Sequence, residues 1–184
     1  GVIPMKMVVG AFPVDQALSL AERFLDWGAK CLKVKVGLDP VEDLARVASV
    51  RKLAGPDIKI GIDANCGWSL PEARDMLDRM EPFDILFAEQ PIGRDQAYDM
   101  ATLRSASKIP IMADEDVFTI QDASRIASAH AADIISVYPG KHGGISQTLS
   151  IVHIGAGAGM VCHMGSNLEL GIATAAMLHV AAAV

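Results

Sequence analysis

Cys31-Leu32-Lys33-Val34-Lys35-Val36-Gly37-Leu38-Asp39-Pro40-Val41-Glu42 is the stretch that decides the fold. In its first six residues Leu32, Val34 and Val36 share one face of an extended chain, while Lys33 and Lys35 share the other. Its last four residues read as a capping box with proline at the first helical position, which marks a helix start. A strand that runs directly into a helix is a βα unit, and the same unit recurs on both sides. Upstream, residues 3–9 (IPMKMVV) precede a helical pattern over 15–27. Downstream, 58–63 (IKIGID) leads to a helix after Ser69 with Pro71 near its first turn. Residues 85–89 (ILFAE) lead to a helix over 97–106, and 109–114 (IPIMAD) to one opening near Thr119 or Gln121. Residues 132–138 (ADIISVY) pass through Gly143-Gly144 to a helix over 145–155, and 160–163 lead to a last helix over 168–183.

Seven strand–helix pairs at intervals of about 25 residues, with near-continuous apolar strands, predict a parallel sheet covered by helices. Seven regular units favour a TIM-like barrel over an open doubly wound sheet. No glycine-rich dinucleotide fingerprint follows the first strand, which argues against a nucleotide-binding fold. No low-complexity linker or internal domain boundary is visible.

Composition narrows the function. The 184 residues are 51% hydrophobic and 21% charged, with a formal charge of −6. No run of 18 apolar residues predicts a membrane span, and no signal-peptide pattern marks export. Three widely spaced cysteines, Cys31, Cys66 and Cys162, fit neither a disulfide framework nor a zinc pattern, so a reducing, cytoplasmic setting is expected. An acidic balance without basic clusters disfavours nucleic acid.

The informative charges stand at the carboxyl ends of the strands, where barrel enzymes place their chemistry. Lys33 and Lys35 are expected to face the barrel interior, and buried ammonium groups need carboxylates nearby. Asp63, Glu89 and Asp114 supply them, each closing a successive strand, 26 and 25 residues apart. Three such acids at one height would converge, and they cannot all stay ionised without a cation. An oxygen-only set suits a hard cation, Mg²⁺ before Zn²⁺, with Mn²⁺ as a possible substitute. Taken singly, each acid also fits a helix-capping role.

The ordered set Lys33-Val34-Lys35, Asp63-Ala64-Asn65, Glu89-Gln90-Pro91, Ala113-Asp114-Glu115 and the glycine pair after strand six resembles the catalytic barrel of the enolase superfamily. Within it, the closest likeness is to the mandelate racemase/muconate lactonizing enzyme family. The resemblance implies a (β/α)7β barrel in which Asp63, Glu89 and Asp114 bind Mg²⁺, Lys33 and Lys35 form a lysine pair, and Lys35 is the base at the substrate α-carbon. Sites of this superfamily combine a Lys or His base with Mg²⁺. The resemblance also implies a small-molecule carboxylate substrate and a homo-oligomer. It further implies an eighth strand and an N-terminal capping domain that residues 1–184 do not include.

The other side of the site departs from the better-known patterns. Tyr138 stands where lactonizing enzymes and several epimerases carry a second lysine, and where mandelate racemase carries an aspartate that orients its histidine. Ser136 and Tyr138 share a face, so Tyr138 is expected to point into the barrel mouth. Lys141 would reach inward only if its loop folds back. His163 sits in the region of the racemase-type histidine, without that aspartate. Asn65 shares the face of Asp63, and Glu169 is a further acid near the last helix. One good base favours a muconate cycloisomerase-like reaction, followed by dehydration of a hydroxy acid or sugar acid, then epimerisation. A Schiff-base aldolase using Lys33 or Lys35 and a non-catalytic binding barrel are the readings from other classes.

Overall fold

The structure, a computed structural model, describes residues 3–184. Strands and helices alternate through the chain: β1 (Met7–Val9), α1 (Val14–Asp26), β2 (Cys31–Lys35), α2 (Pro40–Ala54), β3 (Lys59–Asp63), α3 (Leu70–Met80), β4 (Ile85–Glu89), α4 (Ala97–Ala106), β5 (Ile111–Ala113), α5 (Ile120–Ser128), β6 (Ile134–Val137), α6 (Pro139–His142), α7 (Ile145–Gly157), β7 (Val161–Met164) and α8 (Gly171–Ala183). All seven expected strands are present, in an α/β fold with parallel pairing.

The chain divides into two compact units. One comprises Pro4–Gly93 with Leu103–Ile111, the other Arg94–Thr102 with Met112–Val184. In the first, β1, β2, β3 and β4 pair in chain order, with Lys33 opposite Gly61, Lys35 opposite Asp63, and Asp63 opposite Glu89. In the second, the β5 residues Met112 and Ala113 pair with β6, and β6 with β7, placing Ser136 opposite His163.

The lysine face of β2 is matched by an apolar face that forms the core. Leu32, Val34, Ile60 and Ile62 are fully buried, as are Ala17 and Ala21 of α1, Val47 and Val50 of α2, and Ala73 and Met80 of α3. Each large aliphatic side chain sealed in this way contributes about 1.5–3 kcal/mol. Helix starts follow their local signals. Asp39 accepts from the N–H groups of Val41 and Glu42 with Pro40 in the first turn, Ser69 and Glu72 complete a reciprocal capping box, and Thr119 with Asp122 forms another.

Boundaries differ from the sequence reading where the apolar pattern outruns the ladder. The first strand covers only Met7–Val9, and the fifth starts at Ile111, after Pro110, which has no N–H to donate. The last helix begins at Gly171, not at 168, because residues 166–170 form a loop in which Glu169 accepts from the Ser166 hydroxyl and the Asn167 N–H. The segment after β6, expected to be a loop, winds into the single-turn helix α6. The glycine pair Gly143-Gly144, at φ of 78° and 120°, then turns the chain into α7.

Candidate functional site

In the first unit the two lysines and two of the three acids form one cluster. Register sets Lys35, Asp63 and Glu89 side by side on one face at the carboxyl ends of β2, β3 and β4. The ladder continues beyond the strands: Val36 N–H donates to the Asp63 carbonyl, Ala64 N–H to that of Glu89, and Cys66 N–H to that of Gln90. Asn65, Cys66 and Gln90 sit in the left-handed region, at φ of 43°, 66° and 37°, so the rim is built from sparsely populated backbone.

Lys33 Nζ donates to Asp63 Oδ2 at 2.7 Å and to Glu89 Oε2 at 2.8 Å. Both carboxylates are almost fully buried, at 1% and 2% exposure. Burial alone would lower the Lys33 ammonium, but the Glu89 and Asp63 carboxylates outweigh it and hold the group above its ordinary value. Desolvation likewise works to raise Asp63, and the two lysines overcome it, leaving its carboxyl below the usual range. Lys35 differs in access: its side chain is 29% exposed against 9% for Lys33. It donates to Asp63 Oδ2 at 2.7 Å and to Asn65 Oδ1. Asn65 also donates its N–H to Asp63 Oδ1 at 3.1 Å. Lys33 is therefore a sealed ammonium held by the two acids, and Lys35 is the more accessible lysine, at the rim.

Gly61 is required beneath this cluster. It faces the Phe87 ring, which occupies the space a Cβ there would need.

Two features of the first unit were not read from the sequence. Lys6, inside the first apolar run, has its ammonium 5.6 Å from the centroid of the Phe87 ring. Burial, with the Lys33 charge adding, lowers it to about 8 against the opposing pull of Glu89 and Asp63. The second is a fully buried ion pair on α2. Arg46 Nη1 donates to Asp43 Oδ1 at 2.7 Å and to the Lys35 carbonyl at 3.0 Å, and Nε donates to the Phe12 carbonyl at 2.6 Å. Asp43 Oδ2 in turn accepts from the N–H groups of Gly37 and Leu38. This pair fixes the turn that immediately follows Lys35. The signal was present: residues 43, 46, 47 and 50 lie on one helical face, so the charges share the face of Val47 and Val50.

In the second unit Asp114 directly follows β5. Its Oδ1 accepts from Lys141 Nζ at 2.5 Å, so the chain after β6 does fold back. Tyr138, the residue before α6, donates its hydroxyl to Asn167 Oδ1 at 3.1 Å, a partner from the loop after β7 that the sequence reading did not single out. Burial first, then the negative charges of Asp114, Glu169 and Glu115, raise the Tyr138 phenol well above its ordinary value, so it stays protonated. His163 lies in β7 opposite Ser136.

His142, which closes α6, donates from Nδ1 to the Phe118 carbonyl at 2.9 Å. Burial, with Lys141 adding, lowers its imidazole despite that hydrogen bond. A histidine kept neutral in the fold stabilises fully above its unfolded value of about 6.5 and loses that contribution as pH falls below it. The variant His142→Gln is expected to flatten the loss of urea stability between pH 7 and 5, by at most about 1.4 kcal/mol per pH unit. Identical slopes in the two proteins would contradict this.

Among the described residues, no group of three or more His, Cys, Asp and Glu side chains is arranged to hold a metal ion. The donor chemistry still fits a hard cation. Asp63 and Glu89 are oxygen donors, nearly inaccessible, and carry charge that positive groups must balance. Among the described residues no helix is long and apolar enough to cross a membrane.

Residues 16–184 match the family described as enolase C-terminal domain-like. The chain is 36% identical over 165 residues to the L-Ala-D/L-Glu epimerase of Bacillus subtilis, covering 88% of this chain and 45% of that protein. It is 32% identical over 186 residues to muconate cycloisomerase 1 of Rhodococcus opacus, covering 98% and 49%. The solved dipeptide epimerase from Cytophaga hutchinsonii, complexed with Mg and the dipeptide D-Ala-L-Val, superposes with a TM-score of 0.94 at 32% identity, covering 98% of this chain and 49% of that one. The chain thus spans about half the length of the curated relatives it matches.

Proposed function

The chain belongs to the enolase superfamily, in its mandelate racemase/muconate lactonizing enzyme family, and from that premise we propose that the protein removes or transfers the proton α to a carboxylate through an enolate, with Mg²⁺ as cofactor. The observation that best supports this reading is the in-register set Lys35, Asp63 and Glu89, with Lys33 sealed between the two acids. Lys35, the accessible amine, is the base. Lys33 stays an ammonium and contributes charge. Asp63, Glu89 and Asp114 are the metal ligands, with Mn²⁺ as an alternative ion. Bound by these carboxylates, Mg²⁺ would supply Lewis-acid stabilisation of the charge that develops on the enolate. Asn65 keeps the Lys35 side chain aimed along the rim.

Tyr138 is assigned as proton donor because its phenol carries the proton at neutral pH, although burial and the neighbouring carboxylates make it a weak acid. His163 is the other acid/base candidate of the same unit. One base and one acid suit a muconate cycloisomerase-like reaction, or dehydration of a hydroxy acid or sugar acid. Epimerisation of an amino-acid derivative is a second reading. It is favoured by the 36% identity to an L-Ala-D/L-Glu epimerase, and it asks the second group to work in both directions. In this proposal residues 1–184 are the greater part of a catalytic barrel in a larger cytoplasmic, homo-oligomeric enzyme that includes a capping domain.

Metal removal tests the reading. Turnover of a responsive carboxylate is expected to disappear in EDTA and to return with added Mg²⁺. Turnover that survives EDTA would contradict it, and borohydride trapping of substrate on Lys33 or Lys35 would replace it with a Schiff-base mechanism.

A further inference from the structure

We propose that Lys141 is a positioning residue that fixes the Asp114 carboxylate for ion binding, and that it is not the second acid/base of the reaction. The proposal rests on the reading of Asp114 as a metal ligand. After β6 the chain turns through α6, and this brings the Lys141 side chain, 2% exposed, back to the ends of β5 and β6. An ammonium has three N–H donors. Three acceptors meet them: Asp114 Oδ1 at 2.5 Å, the Asp114 carbonyl at 2.9 Å and the Ser136 carbonyl at 2.7 Å.

Two of those acceptors are main-chain oxygens at the ends of adjacent strands. The position of the ammonium is therefore set by the backbone and survives any turn of the carboxylate. The rings of Tyr138 and Phe118, with centroids 5.0 Å and 6.0 Å from Nζ, flank the charge and favour it as a cation. A buried ammonium with its donors matched in this way cannot collect or deliver a proton without breaking main-chain contacts. It can hold Oδ1 in place, and thereby set the direction in which Oδ2 points. Groups that orient a ligand from behind typically change metal affinity by about 10–100-fold when removed.

Calorimetric titration of Mg²⁺ into the wild-type protein, Lys141→Met, Asp114→Asn and the double variant tests this. Lys141→Met is expected to bind Mg²⁺ at least about tenfold more weakly. The double variant is expected to bind no more weakly than Asp114→Asn alone, because the lysine acts only through that carboxylate. A folded Lys141→Met with wild-type affinity overturns the proposal, as does a double variant whose loss is the product of the two single losses. If Asp114→Asn itself retains wild-type affinity, Asp114 is not a ligand and the proposal falls with that reading. Loss in Asp114→Asn with none in Lys141→Met overturns the positioning role alone. Should Lys141→Met fail to fold, Lys141→Gln takes its place, with the same loss of at least about tenfold expected and a smaller loss overturning the proposal.

Discussion

Lys35→Ala is expected to slow α-proton exchange by about 10²- to 10⁴-fold, or about 3–5 kcal/mol of transition-state stabilisation, while the protein stays folded. The side chain is 29% exposed, so its removal opens no closed cavity. Lys33→Ala should behave differently. It strips the shared cation from two carboxylates that are 1% and 2% exposed, so it attacks the site's electrostatics and folding together. If Lys35→Ala exchanges α-protons at the wild-type rate, the base lies elsewhere. The comparison is made by deuterium uptake at saturating substrate, alongside thermal unfolding of both variants.

Arg46→Met is expected to cost about 3–5 kcal/mol of unfolding free energy, seen as a lower urea midpoint at unchanged slope. The reason is the charge left behind: Asp43 is 0% exposed, and without the guanidinium its buried carboxylate keeps only the N–H groups of Gly37 and Leu38. The double variant Asp43→Leu, Arg46→Met removes both charges and is expected to be more stable than Arg46→Met alone. It should still turn over more slowly than wild type. The hydrogen bond from Arg46 to the Lys35 carbonyl is lost, and with it the link to Phe12 that secures the end of β2. A cost below about 1 kcal/mol for Arg46→Met would show that the pair is solvated, contrary to its burial.

The chemistry of the first unit was legible because a strand shows each face at every second residue. Lys33 and Lys35 on one face, with an acid ending each following strand, already specify a charged interior, and the register supplies the distances. The Asp43–Arg46 pair was harder to see, since a helix surface carries the same three-residue spacing between acid and base wherever solvent reaches it. Only the shared face with Val47 and Val50 distinguishes it. Lys141 was the least legible. Its inward course depends on Pro139 starting a single helical turn soon after a strand, where the proline and the glycines at 140, 143 and 144 suggest an open loop. Lys6 carries no comparable signal, since a single lysine in an apolar run shows no second charge on its face; its ammonium meets the Phe87 ring and the charges of Glu89, Lys33 and Asp63 only in the fold.

The central claim is enolate formation by a lysine base with a divalent ion, and deuterium exchange at the α-carbon measures that step alone. The protein is incubated in D₂O with Mg²⁺ and a panel of muconates, acid sugars and dipeptides, and the α-proton signal is followed by NMR. The account predicts loss of that signal for at least one class of carboxylate, dependent on both Mg²⁺ and Lys35. Turnover of a carboxylate with its α-proton fully retained, or exchange that proceeds equally in EDTA, would contradict it.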